Sequence, residues 1–175
     1  MKTYIAFLRG INVGGHKKIL MKDLSLLFES LGFENVKTYI QSGNVVFRSK
    51  EETNLASKIA EAIESKYSFF TPVLVKKASE LSEIASKCPF FDEKREKSYF
   101  ILLEENPTKE NIELTAAFSN LNEEFHITAN CVYIYYAVGA GKAKMGVNFF
   151  ERKLKVKATA RNYRTMAKLI ELATL

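Results

Sequence analysis

The run Tyr4-Ile5-Ala6-Phe7-Leu8 limits what this chain can fold into more than any other feature. Alternate side chains of a β-strand point to opposite faces, and here both sets are apolar: Ile5 and Phe7 on one face, Tyr4 and Leu8 on the other. The run Cys131–Tyr136 has the same property, with Tyr133 and Tyr135 alternating with Val132 and Ile134. A sheet with one wet face alternates apolar and polar residues. These strands therefore call for cover on both sides, with helices on one face and, most simply, the other half of the chain on the second. The apolar material is sufficient: 47% of the 175 residues are hydrophobic, including 13 Phe and 8 Tyr, which suits one compact domain or two small packed halves.

The remaining pattern reads as a repeated element order. Met21, Leu24, Leu27, Phe28 and Leu31 recur at helical spacing, and Gly32 follows as the stop,. The runs "NVKTYIQ" and "NVVFRS" are strands joined through Ser42-Gly43,. Leu55, Ile59 and Ile63 mark a helix from about 52 to 67, and "TPVLVKK" is a strand whose Pro72 suits a sheet edge,. The order is βαββαβ, the ferredoxin-like arrangement. The second half repeats it. "KSYFILLE" is a strand, and a helix capped by Thr108 turns Ile112 and Leu114 inward,. A hairpin turns at Ala129-Asn130, a helix runs from about 144 to 154, and "VKATA" is a strand. A last helix, 163–175, has Met166, Leu169, Ile170 and Ala173 as its apolar face, capped by Asn162 or Thr165. The expected class is α+β: two tandem ferredoxin-like halves packed together, 1–78 and 97–175, with a C-terminal helix. Residues 79–96 are the expected linker, with one short helix.

Charge is unevenly placed. Residues 1–50 carry a net +5, residues 51–141 a net −6, and residues 142–175 a net +7. From Arg152 to Lys168 there are seven Lys or Arg and no carboxylate. Such asymmetry favours an anionic partner, the plain alternative being a basic face that keeps the chain in solution. No apolar run reaches the roughly 18 residues of a membrane span. The amino terminus lacks a leader's long apolar region. Cys88 and Cys131 stand far apart with no Cys or His at ligand spacing, so they read as buried thiols,. A cytoplasmic setting with no membrane partner, no metal and no cofactor is expected.

The loop "RGINVGGHKK" follows the first strand, and in a βαββαβ unit it shares an edge with the hairpin "QSGN". Arg9, Asn12, Lys17, Ser42 and Asn44 would line one rim, with Lys18 beside them. Gly10, Gly14, Gly15 and Gly43 would let a ligand approach the backbone. Backbone N–H groups beside a helix start make an anion site; a tight turn is the alternative. The familiar phosphate fingerprints do not match. Gly10 to Gly15 has the P-loop spacing, but His16-Lys17 follows where Lys and then Ser or Thr is required,. In "VGAGKAK", Tyr136 replaces the first glycine and Ala143 the hydroxyl residue. A dinucleotide fingerprint would need glycine at position 12, which is Asn,.

The segment "TARNYRT" puts Arg161 and Arg164, with Asn162 and Thr165, at a helix start, where positive charge opposes the dipole unless an anion or carboxylate compensates,. Nucleophilic chemistry finds little support: His16 and His126 are the only histidines, Asp occurs only at 23 and 92, and no elbow motif surrounds a Ser or Cys,. Catalytic residues are unassigned.

Together "RGINVGG", "TYIQSGNVVF" and "TARNYRT" resemble the bacterial domain-of-unknown-function family 1697, over nearly the whole chain. The resemblance implies an α+β architecture of two ferredoxin-like halves and brings no reaction or cofactor. It marks Arg9–Gly15, Gln41–Asn44 and Arg161–Thr165 as signature positions. Tyr163 stands where many relatives have Trp. The leading expectation is a non-catalytic binder of an anionic ligand, nucleic acid or nucleotide. An enzyme acting on a small phosphorylated or carboxylated metabolite is one alternative. Another is a protein–protein module presenting Phe90 and Phe91 of "CPFF" to a partner.

Overall fold

The computed structural model describes residues 1–175. They cluster into two compact units, residues 1–82 with 168–175, and residues 83–167. The first unit contains β1 (Lys2–Leu8), α1 (Met21–Ser30), β2 (Glu34–Tyr39), β3 (Asn44–Ser49), α2 (Leu55–Tyr67) and β4 (Val73–Lys77). Helix α3 (Ala78–Ser86) and helix α4 (Asp92–Glu96) follow. Then come β5 (Ser98–Leu103), α5 (Lys109–Ala116), β6 (Glu123–Ile127), β7 (Cys131–Tyr136), α6 (Val147–Leu154), β8 (Ala158–Asn162) and α7 (Tyr163–Thr174). The chain is thus α+β, with seven α-helices and two four-stranded antiparallel sheets ordered β2-β3-β1-β4 and β6-β7-β5-β8. No helix is long and apolar enough to cross a membrane.

In the first unit, Tyr4, Ala6, Leu8, Val45 and Phe47 pack against Leu24 and Phe28 of α1 and Ile59 and Ile63 of α2. Phe28, Phe33 and Phe47 meet ring to ring, Phe33–Phe47 at 4.6 Å between centroids. Ile5, Phe7 and Val46, on the opposite face, are equally buried. Gly32 ends α1 with a φ of +84°, a left-handed value that glycine adopts without strain,. Strand β4 lies at the sheet edge, directly after Pro72. Lys37 on β2 donates from Nζ to the Leu172 carbonyl at 3.4 Å, within the same unit.

In the second unit, Ile101, Val132, Ile134 and Tyr136 pack against Phe150 and Leu154 of α6. The other face carries Phe100 and Tyr133 in edge contact at 5.4 Å. The Tyr133 hydroxyl donates to the Ile84 carbonyl at 2.8 Å. Phe90 packs edge-on to His126 at 5.7 Å and against Tyr135. The stretch between the halves therefore holds two helices rather than one. Its Phe90 is core, which removes it from any display to a partner, while Phe91 is 73% exposed.

Several boundaries shift for local reasons. Helix α2 starts at Leu55 rather than near 52 because Asn54 takes a left-handed φ of +59°. Helix α6 starts at Val147 rather than near 144 because Gly146 is extended, with φ −88° and ψ −170°; the N–H groups of Lys144 and Met145 donate to the Glu123 carboxylate. On α5, Thr108 caps through the Asn111 N–H, and Ile112 packs on the core. The next inward position is three residues on, so Thr115 is 1% exposed and Leu114, expected inward, is 61% exposed,.

Burial drives the phenols of Tyr133 and Tyr136 well above their ordinary value. Both hydroxyls donate to carbonyls, Tyr136 to Met145 at 3.1 Å. The protonated form is favoured in the folded state. That stabilisation is full below the ordinary phenol pKa of about 10 and declines as pH rises through the folded values. Denaturant midpoints should therefore fall more steeply above about pH 10 in the parent protein than in Tyr133→Phe/Tyr136→Phe. Equal slopes in the two proteins would show that these phenols ionise freely while folded.

Candidate functional site

Four strand ends of the first sheet meet three loops: residues 9–20, 40–43 and 68–72. Backbone bonds lace them together. Leu8 N–H donates to the Gly43 carbonyl at 2.8 Å, and Arg9 N–H to the Pro72 carbonyl at 3.0 Å. The Thr71 hydroxyl donates to the Arg9 carbonyl at 2.9 Å. The neighbourhood of the two glycine-bearing loops, expected from strand order, is present.

Asn12 is the staple. Its Nδ2 donates to the carbonyls of Ile19 at 3.0 Å and Gln41 at 2.9 Å, while its Oδ1 accepts from Ile19 N–H at 2.9 Å. Its own N–H donates to the Lys17 carbonyl. The amide is thereby committed to holding the loop closed and fastened to the β2–β3 turn. Between Asn12 and Lys17 the chain forms a minute hairpin, with Val13 paired to His16 across Gly14 and Gly15. Both glycines have positive φ, as the favoured two-residue hairpin turn requires,. Helix α1 begins only at Met21, so these glycines do not sit at its N-terminus.

Gly43 has a different reason. Its φ is +81°, and an added Cβ would lie 2.7 Å from the Leu8 Cβ and 2.8 Å from the Ile11 Cδ1. Asn44 is buried and donates to the Tyr39 carbonyl and the Ser42 hydroxyl, closing the turn. Arg9 is half-buried, whereas Gly10, Gly14, Gly15, Lys17 and Ser42 are at the surface. Lys17 donates from Nζ to the Phe70 carbonyl at 2.7 Å and lies 5.8 Å from the Phe69 ring centre. Lys18, Lys22 and Lys66 are exposed, and segments 9–22, 40–44 and 66–72 contain no Asp or Glu. Phe70, Ile40 and Lys66 were missed by sequence reasoning, because nothing in the linear order tells that the α2–β4 loop joins the glycine loop.

The remaining candidates lie in the second unit. Arg161 and Asn162 end β8. Arg161 is half-buried and donates to the Thr159 hydroxyl at 2.9 Å and the Ala160 carbonyl at 2.8 Å. Burial lowers its guanidinium to about 10, so it stays charged at neutral pH. Asn162 caps α7 by accepting from the Thr165 N–H at 2.8 Å, and Thr165 is itself buried. Arg164 alone of this segment is exposed. Arg95, also in this unit, stands 5.6 Å from the Tyr163 ring, which stacks on Phe100. The other Gly-Lys loop, 139–146, already holds an anion of its own: the buried Glu123 carboxylate accepts from Lys144 and Met145.

The family model described as a protein of unknown function, DUF1697, matches residues 1–133. That span includes the glycine loop and the β2–β3 turn, and stops short of Arg161–Thr165. A solved structure of a conserved bacterial protein from Streptococcus pneumoniae is similar in fold, with a TM-score of 0.73 over 98% of each chain at 19% identity. No curated protein matches the chain.

Two substitutions test this reading of the loops. Gly43→Ala should destabilise by about 2 kcal/mol or more, from overlap together with left-handed strain. Gly141→Ala, in open space without positive φ, should be near neutral in the same urea titration. Asn12→Asp keeps the acceptor for Ile19 and loses both donors. Amides of residues 13–19 should then exchange faster with solvent deuterium while β1 stays protected; unchanged exchange would mean the staple is dispensable.

Proposed function

The chain belongs to DUF1697, a family of proteins of unknown function, and within that family we propose that this member is a non-catalytic binder of an anionic ligand, nucleic acid or nucleotide first. The observation that carries the reading is the loop end of the first unit. Four lysines, Lys17, Lys18, Lys22 and Lys66, stand exposed there, against Asp23, which follows Lys22 in the chain. Several lysines elsewhere have acidic neighbours, as in Lys87–Glu83, Lys94–Glu124 and Lys97–Glu93, though the stretch from Arg152 to Lys168 contains no carboxylate. A surface with such an excess of cations attracts anions and releases counterions on binding a polyphosphate.

In this reading each half, 1–78 and 97–175, is a ferredoxin-like unit joined through 79–96; the strand orders β2-β3-β1-β4 and β6-β7-β5-β8 support it. The usual nucleic-acid surface of that arrangement, an open sheet face, is unsuited here, since Ile5, Phe7, Phe100 and Tyr133 are buried. Binding falls instead to the basic loops, with Gly10, Gly14 and Gly15 allowing close approach. Arg164 is a further exposed cation, in the other unit.

Fluorescence anisotropy with labelled single-stranded RNA and duplex DNA tests the reading. Dissociation constants in the range of about 10⁻⁴ to 10⁻⁶ M at physiological salt are expected, tightening as salt is lowered. Lys17→Ala/Lys18→Ala should weaken binding and reduce the salt slope by about one for each phosphate that is no longer neutralised. Absence of binding at low salt would end the proposal. Full binding by the double variant would move the binding surface away from these loops.

A further inference from the structure

The same loop end carries apolar side chains that phosphate binding alone leaves without a purpose. Val13, Ile40 and Phe70 are 66%, 48% and 53% exposed, each in a different one of the three converging loops. Ile40 is also strained, a β-branched residue held at a φ of +50°. Glycine or asparagine would occupy that turn position at lower energy, and an exposed isoleucine gains little burial in return. Phe70 precedes Thr71, whose hydroxyl is tied to the Arg9 carbonyl, so its backbone is anchored to β1. Its own carbonyl accepts from Lys17 Nζ. That bond uses one of the ammonium's three donors and leaves two available, and the ring the ammonium lies over is that of Phe69, 5.8 Å from its centre,.

An exposed phenyl whose own backbone carbonyl holds an ammonium puts an aromatic face and a cation on one loop, the two elements that single strands use, a base stacked on the ring and a phosphate on the cation. A duplex keeps its base faces within its own stack and offers nothing to Phe70. Resting on the anionic-ligand reading above, we infer that this loop end binds single-stranded nucleic acid, with one base stacked on Phe70 and the adjoining phosphates held by Lys17 and Lys18. Val13 and Ile40 flank the strand with apolar contact to sugar and base. Recognition of this kind is tolerant of sequence, because every base has a π-face.

The test titrates the full chain with fluorescein-labelled oligothymidylate and with an abasic strand of equal length and charge, at one low salt concentration. Oligothymidylate should bind more tightly than the abasic strand, and Phe70→Ala should weaken only the former, by about tenfold. Phe70→Leu, which keeps an apolar side chain without a ring, should match Phe70→Ala, and Phe70→Tyr should bind as the parent does. Lys17→Ala/Lys18→Ala should weaken both strands. Equal affinity for the two strands, unaltered in Phe70→Ala, overturns the stacking inference while leaving the anionic reading standing. Binding to neither strand defeats both. Capture by phosphatidylserine vesicles without oligonucleotide binding would assign the apolar tips to a lipid surface and overturn the inference.

Discussion

The central strands β1, β3, β5 and β7 have no wet face, and most other features follow from that constraint. Ile5 and Phe7 are as inaccessible as Tyr4 and Leu8, and Tyr133 as inaccessible as Val132 and Ile134. With side chains buried on both sides, a strand has no position from which to offer a polar group to a ligand. Chemistry is displaced to the strand ends, where the backbone leaves the sheet and its N–H and C=O groups must find partners elsewhere. The loops around Gly10–Lys17, Ile40–Gly43 and Ser68–Pro72 are where that happens in the first unit.

Those loops are held by bonds separate from the core. Asn12, Lys17 and Ile40 all have positive φ, in company with Gly10, Gly14, Gly15 and Gly43. Non-glycine residues in that region cost on the order of 1 kcal/mol each and persist only where surrounding bonds dictate the conformation. Here the three Asn12 amide bonds, the Thr71–Arg9 bond and the wedging of Gly43 against Leu8 and Ile11 do so. The outcome is a set of loops bonded to one another, Lys17 Nζ to the Phe70 carbonyl among them, with Lys18, Lys22 and Lys66 exposed.

The two Gly-Lys regions of the chain differ in this respect. In the 139–146 loop the buried Glu123 carboxylate occupies the N–H groups of Lys144 and Met145. A charge-assisted bond of that kind fulfils within the protein the role an external anion would otherwise play. Around Lys17 and Lys18 the neighbouring segments contain no carboxylate. Similar composition therefore leads to a closed structural turn in one place and an open basic surface in the other. Likewise the Asn162 side chain caps α7 by accepting from the Thr165 N–H, Thr165 is buried, and only Arg164 of that segment remains exposed.

The sequence by itself determined the element order, because strand alternation, helical spacing and stop signals are local. The apolar run of β1, the Gly32 terminator, the Thr108 cap and both hairpins were legible in it. Helix starts at Leu55 and Val147 were not, since Asn54 takes a left-handed turn and Gly146 is extended. Leu114 misled because apolar character does not reveal helix phase. The candidate rim was legible as a neighbourhood, but which of its polar groups were already committed was not. Only the tertiary structure decided that Asn12 and Asn44 bond the loops around them, that Phe90 is core, and that the Phe70 carbonyl meets Lys17. The physical reason is range. Asn12 bonds a carbonyl 29 residues away and Lys17 one 53 residues away, and no local pattern encodes a hydrogen bond whose partner arrives only when the sheet has formed.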